Sequence, residues 1–264
     1  MSLIRVERAE HLASVTLARP EQRNAVSAAM LGDLRLALRD LAVERGVRVV
    51  VLAGEGADFC AGADIAELVE ARRTLAGFEY GATFERALEA IAEHPVPIIA
   101  RVHGSALGAG CQLAVACDLA VAAEDARFGI PSARLGIVVN YENIERLVLA
   151  VGPKRAGEML YAGRVLSGIE AAEWGLVNRA VPADQLEAVT AEVADAITRG
   201  APLSVRGSKR GISAAVGNLH LDRASNGQRV ADFDMMAAEA FASEDLGEGI
   251  EAFRERRPPR FRGA

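Results

Sequence analysis

Lysine is nearly missing from this chain of 264 residues: Lys154 and Lys209 are the only two, and arginine supplies the rest of the 30 basic side chains. Acidic residues number 36, so the formal charge is −6, and a general role as a phosphate-backbone binder is excluded. Cysteine is scarce and odd in number. Cys60, Cys111 and Cys117 sit in apolar surroundings and read as reduced core side chains, not as a disulfide framework. No charged-then-apolar leader opens the chain, which argues against secretion. The longest apolar region, 96–123, is interrupted by Arg101, His103, Gln112 and Asp118, so it is protein core and not a membrane span. Histidine, cysteine and acidic residues show no metal-ligand spacing. Neither Gly-x-Gly-x-x-Gly after the first strand nor Gly-Lys-Ser/Thr occurs, which removes the common nucleotide-binding loops. These absences predict a cytoplasmic protein with no nucleic-acid, membrane or metal business.

What is present suits a substantial core, since 51% of residues are hydrophobic and 25% charged. Residues 3–18 alternate apolar and polar and predict two strands. A polar loop, Arg19 to Ser27, follows, and Ser27 is placed to cap an amphipathic helix running to about Glu44. Val47 to Ala53 is a β-branched run, read as a strand covered on both faces. A glycine-rich loop then leads into a helix at about Asp64. Residues 67–93 are helical in pattern but broken by Gly77 and Gly81. After residue 118 short strands are expected at Leu119–Ala122, Ala126–Phe128 and Val177–Val181. Helices are expected at about 141–151, 154–162, 168–174, 184–199, 202–216, 220–242 and 244–256. Strands and helices alternate to about residue 130 and helices dominate afterwards, which predicts an α/β core followed by a helical C-terminal portion.

The organising stretch is Val96 to Asp118. Ile98–Val102 reads as a buried strand, the chain turns through Gly104, Gly108 and Gly110, and Cys111–Ala116 reads as a buried helix of small residues. Glycines between strand and helix let ligand atoms approach the backbone and leave unpaired N–H groups at the helix start. With the helix dipole, those groups favour an oxygen that carries negative charge. A second loop of the same kind, Ala61-Gly-Ala-Asp64, follows the earlier buried strand. Parallel strands bring such turns to one sheet edge, so one N–H from each loop can converge on a single carbonyl oxygen.

Several segments occur together and in order: Arg19-Pro-Glu-Gln-Arg-Asn-Ala25, Phe59-Cys-Ala-Gly-Ala-Asp-Ile65, His103-Gly-Ser-Ala-Leu-Gly-Ala-Gly-Cys-Gln-Leu113 and Cys117-Asp-Leu119. Later come Phe128-Gly129, Leu135-Gly136, Ala171-Ala-Glu-Trp-Gly-Leu-Val177 and Glu248-Gly-Ile-Glu-Ala-Phe-Arg-Glu-Arg256. Across essentially its whole length the chain resembles the enoyl-CoA hydratase/isomerase (crotonase) superfamily. The resemblance implies a ββα spiral core, here residues 1–200, and a helical C-terminal region, 201–264, that drives a homotrimer or a dimer of trimers. It implies an acyl-CoA substrate, with coenzyme A arriving as part of that substrate and no permanently bound cofactor. The thioester oxygen is expected at the N–H groups of Ala63 and Ala109. The coenzyme A moiety is expected along Arg23 and Ala25 and along Ala61, Asp64 and Ile65. The basic tail, Arg254 to Arg262, is read either as a solvated terminus or as a neighbour of a phosphorylated ligand.

The sequence also departs from that family. Hydratases of the family use two glutamates, because one carboxylate takes a proton from water while another supplies one to carbon. Here those positions hold Gln112 and Ser132, and an amide can orient water but cannot exchange a proton with it near neutral pH. The remaining candidates lie at the next helix start. Asn140 falls where other branches carry an aspartate but also suits an N-cap, and Glu142 is the best-placed carboxylate. This pattern predicts thioester-enolate chemistry of isomerase or decarboxylase type ahead of hydration, with a rearranged hydratase and a non-catalytic acyl-CoA binder as alternatives. His103 is expected to make a structural hydrogen bond, and His94 to be a surface or capping residue.

Overall fold

The structure, a computed structural model, describes residues 2–74, 77–135, 137–217 and, further on, 235, 243–245, 248, 252, 255, 257 and 259–264. β1 (Ile4–Ala9) and β2 (Leu12–Leu17) form an antiparallel pair joined through Glu10, which takes a left-handed conformation with φ 49°. β3 (Val49–Gly54), β4 (Ile98–Val102), β6 (Leu119–Ala123) and β9 (Arg179–Val181) add to β2 in parallel, giving the order β1-β2-β3-β4-β6-β9. All six residues of β3 are buried, as its unbroken apolar run requires of a strand covered on both faces. A smaller sheet holds β5 (Ser105–Leu107), β7 (Arg127–Gly129) and β8 (Val165–Ser167) in that order.

Helices cover the large sheet. In α1 (Ala28–Ala42) the residues Met30, Leu31, Leu34, Leu38 and Leu41 recur at helical spacing and are all buried. The Ser27 hydroxyl accepts from the Met30 N–H at 3.1 Å, satisfying one of the helix's free donors. α1 packs on α3 (Gly77–Ala92) and against β1 and β2, while α8 (Leu186–Thr198) covers β3, β4 and β6. α2 is Ile65–Thr74, α4 Ala109–Ala116, α5 Tyr141–Val151, α6 Pro153–Tyr161, α7 Gly168–Trp174 and α9 Pro202–Gly217. Phe59 and Phe128 are the largest fully buried side chains, each worth about 2–3 kcal/mol by transfer from water.

Several expectations need correction. α4 begins at Ala109, two residues early, because the stretch from Gly104 to Gly108 is itself partly a strand, β5. Gly81 lies inside α3 without breaking it, at a position where an added Cβ would meet nothing within 4 Å. β8 has no counterpart among the expected strands. His94 is buried, at 3% exposure, with Nδ1 3.1 Å from the Val96 carbonyl, and burial pulls its pKa down to about 4. Lys209 buries its side chain as well. Its ammonium donates to Asp118 Oδ2 at 2.7 Å and to the Val96 carbonyl at 3.2 Å, tying α9 to the entry of β4. The helices expected at 220–242 and 244–256 lie almost wholly outside the described residues. No helix among the described residues is long and apolar enough to cross a membrane.

After the second sheet's edge strand, Trp174 carries two arginines over its ring. The guanidinium carbons of Arg155 and Arg164 stand 5.3 and 4.8 Å from its ring centroid. Arg164 also pairs with Glu158 at 2.6 Å and with Glu170 at 2.8 Å, and Ser167 with Glu170 forms a capping box at the start of α7.

Candidate active site

Two strand-to-helix turns are pressed together at one edge of the fold. The first runs from Phe59 to Asp64. Cys60 pairs in parallel fashion with Ala106 of β5, its N–H donating to the Ser105 carbonyl at 2.8 Å and its carbonyl accepting from Leu107 at 3.0 Å. Two residues on, the strand changes partner. Val26 donates to the Gly62 carbonyl at 2.8 Å and accepts from the Asp64 N–H at 3.0 Å. In a parallel bridge of this kind the residue between, Ala63, turns its own N–H away from Val26. Gly62 makes the change of direction possible with φ 126°, a conformation closed to other residues.

The second turn runs from Leu107 to Gly110. Gly108, at φ 52°, precedes α4 and donates its N–H to the carbonyl of Gly129 at the end of β7. Ala109 is the first residue of α4, where a backbone N–H has no partner within the helix. The turns touch through backbone alone. A Cβ on Gly62 would stand 3.2 Å from the Leu107 carbonyl oxygen, and one on Gly108 3.9 Å from the Gly62 Cα. A Cβ on Gly110 would fall 2.1 Å from the Cys60 carbonyl oxygen, so α4 can sit this close only because Gly110 lacks one.

A polar frame holds both turns. Asp58 accepts from Arg23 Nε at 2.7 Å, from Arg23 Nη2 at 3.1 Å and from the Ser105 N–H at 2.8 Å, so one carboxylate joins the 19–25 loop, the first turn and β5. Its side chain is 10% exposed, and the arginine fork holds its carboxyl at about 2. Asp64 caps α2 through Ala66 N–H at 2.9 Å and pairs with Arg19 at 2.7 Å, which pulls its carboxyl below the usual range. The Ala61 N–H donates to the Arg23 carbonyl at 2.9 Å. The residues expected along the coenzyme A moiety, Arg23, Ala25, Ala61, Asp64 and Ile65, are therefore neighbours in space. The Arg23 guanidinium and the Asp64 carboxylate already have protein partners, however, and Ile65 is 58% exposed at the start of α2.

Because its carboxyl is depressed in the fold, Asp58 contributes stability above about pH 4 that is lost as pH falls through about 2. The full linkage is about 2 kcal/mol, lowered by screening because the Arg23 side chain is 58% exposed. Asp58→Asn is expected to be less stable than the parent by about 1–2 kcal/mol at pH 6. That gap should shrink as urea denaturation is repeated toward pH 2; a gap constant across that range contradicts the assignment.

The other expected site residues are placed as follows. Gln112 lies in the first turn and a half of α4, half-buried, and its amide makes no hydrogen bond among the described residues. Ser132 is half-buried in a short 3-10 turn after β7. Asn140 occupies the N-cap position of α5, yet its side chain makes no capping bond. It donates instead to Glu85 Oε2 of α3 at 2.9 Å, a partner that no local pattern of residues points to. Glu142 is exposed in the first turn of α5, and Tyr141 donates to Glu145 at 3.0 Å. His103 makes a structural hydrogen bond to the Gly56 carbonyl at 2.9 Å. Burial pushes the thiols of Cys60 and Cys111 up to about 12, which leaves them inert as nucleophiles. Among the described residues no cluster of histidine, cysteine and acidic side chains could hold a metal ion.

The family model described as enoyl-CoA hydratase/isomerase matches residues 7–264. The chain belongs to this family. A mevalonyl-coenzyme A hydratase of Aspergillus fumigatus is 35% identical over 257 residues, covering 96% of this chain and 92% of that protein. The 2,3-dehydroadipyl-CoA hydratase of Escherichia coli is 34% identical over 263 residues, covering 100% of both. A crystal structure titled as an enoyl-CoA hydratase/carnithine racemase, from Magnetospirillum magneticum, superposes with a TM-score of 0.92 at 32% identity, covering 100% of this chain and 97% of that one. As an enoyl-CoA hydratase/isomerase family member this chain is an acyl-CoA enzyme with the crotonase fold.

Proposed function

We propose that this family member stabilises a thioester enolate between the N–H groups of Ala63 and Ala109, and that it forms the enolate by isomerisation or decarboxylation. The observation that carries the reading is the contact between the two turns, which sets a backbone N–H directed away from Val26 beside a helix start with a free N–H. Two fixed donors stabilise negative charge as it develops on the thioester oxygen, each contributing about 3 kcal/mol in acyl-transfer enzymes. Coenzyme A comes as part of the substrate, along the 19–25 loop and the start of α2, and the enzyme works as a homotrimer or a dimer of trimers.

Gln112 and Ser132 supply no group that exchanges a proton near pH 7, although each can hold a substrate oxygen or a water by hydrogen bonding. Loss of carbon dioxide from a 2-carboxyacyl thioester needs no base: the C–C bond electrons pass to the α-carbon and thioester oxygen, and a proton from water quenches the enolate. A second reading, hydration of an enoyl-CoA, is favoured by the Aspergillus fumigatus and Escherichia coli relatives, both named as hydratases. It would require Glu142 to move the proton while Gln112 aligns the water.

Purified protein offered methylmalonyl-CoA, a 3-enoyl-CoA and crotonyl-CoA separates the readings. Turnover of either of the first two, with crotonyl-CoA hydrated near background, is the expected outcome. Rapid hydration that disappears in Glu142→Gln establishes the second reading instead. Tight thioester binding with no turnover leaves a binding protein.

A further inference from the structure

Four side chains from α3 and α5 close a ring at the start of α5. Glu85 Oε2 accepts from Asn140 Nδ2 at 2.9 Å and from Asn143 Nδ2 at 3.2 Å. Asn143 also donates to Asn140 Oδ1, and its own Oδ1 accepts from Arg146 Nη1 at 2.8 Å. Arg146 Nη2 stands 2.7 Å from Glu85 Oε1 as an ion pair without hydrogen-bond geometry, so charge and not a hydrogen bond completes the ring. The Glu85 and Arg146 side chains are only 14% and 23% exposed, and the pair is neutral as a whole. A partly buried carboxylate, two amides and a guanidinium in one closed circuit cost desolvation that apolar packing between the same helices would avoid.

The ring does one thing that apolar packing cannot: it fixes the Asn140 amide. Turning that amide over would set its oxygen against the Glu85 carboxylate and its nitrogen against the Asn143 nitrogen, so one orientation survives. In it, one Nδ2 hydrogen is taken by Glu85 and the other is left free at an exposed position. The start of α5 is tied to the candidate site through α4, on which α5 packs. Gly129, which accepts the Gly108 N–H beside Ala109, leads through Pro131 and the turn at Ser132 to Asn140.

We infer that Glu85 is a positioning residue that holds Asn140 so that its free amide hydrogen is presented to a polar oxygen of the acyl group, such as a carboxylate, carbonyl or hydroxyl beyond the thioester. This rests on the enolate reading above, and it assigns α3 a part in the choice of substrate. Asn140 occupies the N-cap position without capping because its amide is used here. An acyl group with no such oxygen gains nothing from the arrangement.

The test is a double-mutant cycle of Glu85→Gln and Asn140→Ala, measured on whichever thioester of the panel the parent turns over. Glu85→Gln should lower kcat by about tenfold to a hundredfold, the range seen when a reacting group is misplaced by about an ångström, with KM changed much less. In the Asn140→Ala background the same change should cost less than about twofold, because the group it acts through is gone. Effects that multiply, with equal losses of thermal stability in both backgrounds, make Glu85 a structural residue only and overturn the inference. Asn143→Ala, which removes a second support of Asn140 and no charge, should act in the same direction if Glu85→Gln does not fold.

Hydrogen exchange over residues 137–146 supplies a readout independent of turnover. Faster exchange in Glu85→Gln supports the ring as the restraint on this turn, and unchanged exchange overturns it. A parent that turns over no thioester, with faster exchange in the variant, defeats the enolate reading while the restraint stands. A parent that is active, with Glu85→Gln equally active, defeats this inference alone.

Discussion

Ala109→Pro is expected to fold as the parent does and to lose about a hundredfold to a thousandfold in turnover, the cost of removing one donor from an oxyanion-binding pair. Ala109 is the first residue of α4, where proline's fixed φ suits the helix and its missing N–H breaks no helical bond. Gly108 before it has no Cβ for the proline ring to strike, and its φ of 52° and ψ of −114° keep its own nitrogen clear of the ring. The substitution therefore deletes the proposed donor, breaks no helical bond and sets the ring's Cδ where the hydrogen was. Thermal melting close to the parent's, joined to a collapse of kcat, is the predicted pattern. Turnover within tenfold of the parent would remove Ala109 from the chemistry. The same change at Ala63 is less clean, because Ala63 sits within a parallel bridge whose spacing a ring would disturb.

Gly110→Ala is expected to damage the fold itself. The added carbon would lie 2.1 Å from the Cys60 carbonyl oxygen, 2.8 Å from its Cβ and 2.9 Å from its carbonyl carbon. Two of those three atoms are backbone, so no rotation relieves the clash and α4 must retreat from the first turn. A cost of about 3 kcal/mol or more follows, at the severe end for a single added methyl. The retreat would also separate the two turns, so whatever protein folds should have lost its turnover. Gly32→Ala is the matched control. It lies inside α1 with nothing within 4 Å of the added carbon, and it should stabilise by about 0.5–1 kcal/mol through helix propensity. Urea denaturation of the pair checks both. Equal and small effects would mean that α4 has room the backbone contacts deny.

Much of this architecture can be read from residue order, and the failures have physical causes. The β-branched run of β3, the Ser27 cap and the Leu-rich face of α1 announce themselves because each is a local pattern with one structural solution. The helix at Tyr141–Val151 is read to the residue, since glycine and proline close it at Gly152 and Pro153. β5 and β8 escape because β5 lies inside a glycine turn and β8 between two helices, and each is a strand only by virtue of its partner, β7. His94 looks like a surface residue beside a proline, yet it is buried against the Val96 carbonyl, which Lys209 of the distant α9 also bonds. The two glycine turns stand out by composition alone. Their contact does not, because it depends on Gly62 and Gly110 lacking side chains at positions about fifty residues apart. Least legible is the polar frame. Asp58 with Arg23 spans the first turn, and Glu85 with Asn140 joins α3 to α5. Nothing in a one-dimensional pattern links a carboxylate on one helix to an amide at the start of another.

The single tryptophan sets what light can report about this molecule. Trp174 is in contact with guanidinium groups borne by α6 and by the segment entering β8, so its emission follows the docking of that corner. A fluorescence melt will therefore register the release of two arginines, while circular dichroism follows the helices throughout the chain. Where the two curves separate, the corner is parting from the sheet as a unit of its own, a subglobal opening that a single optical probe would mistake for the whole transition.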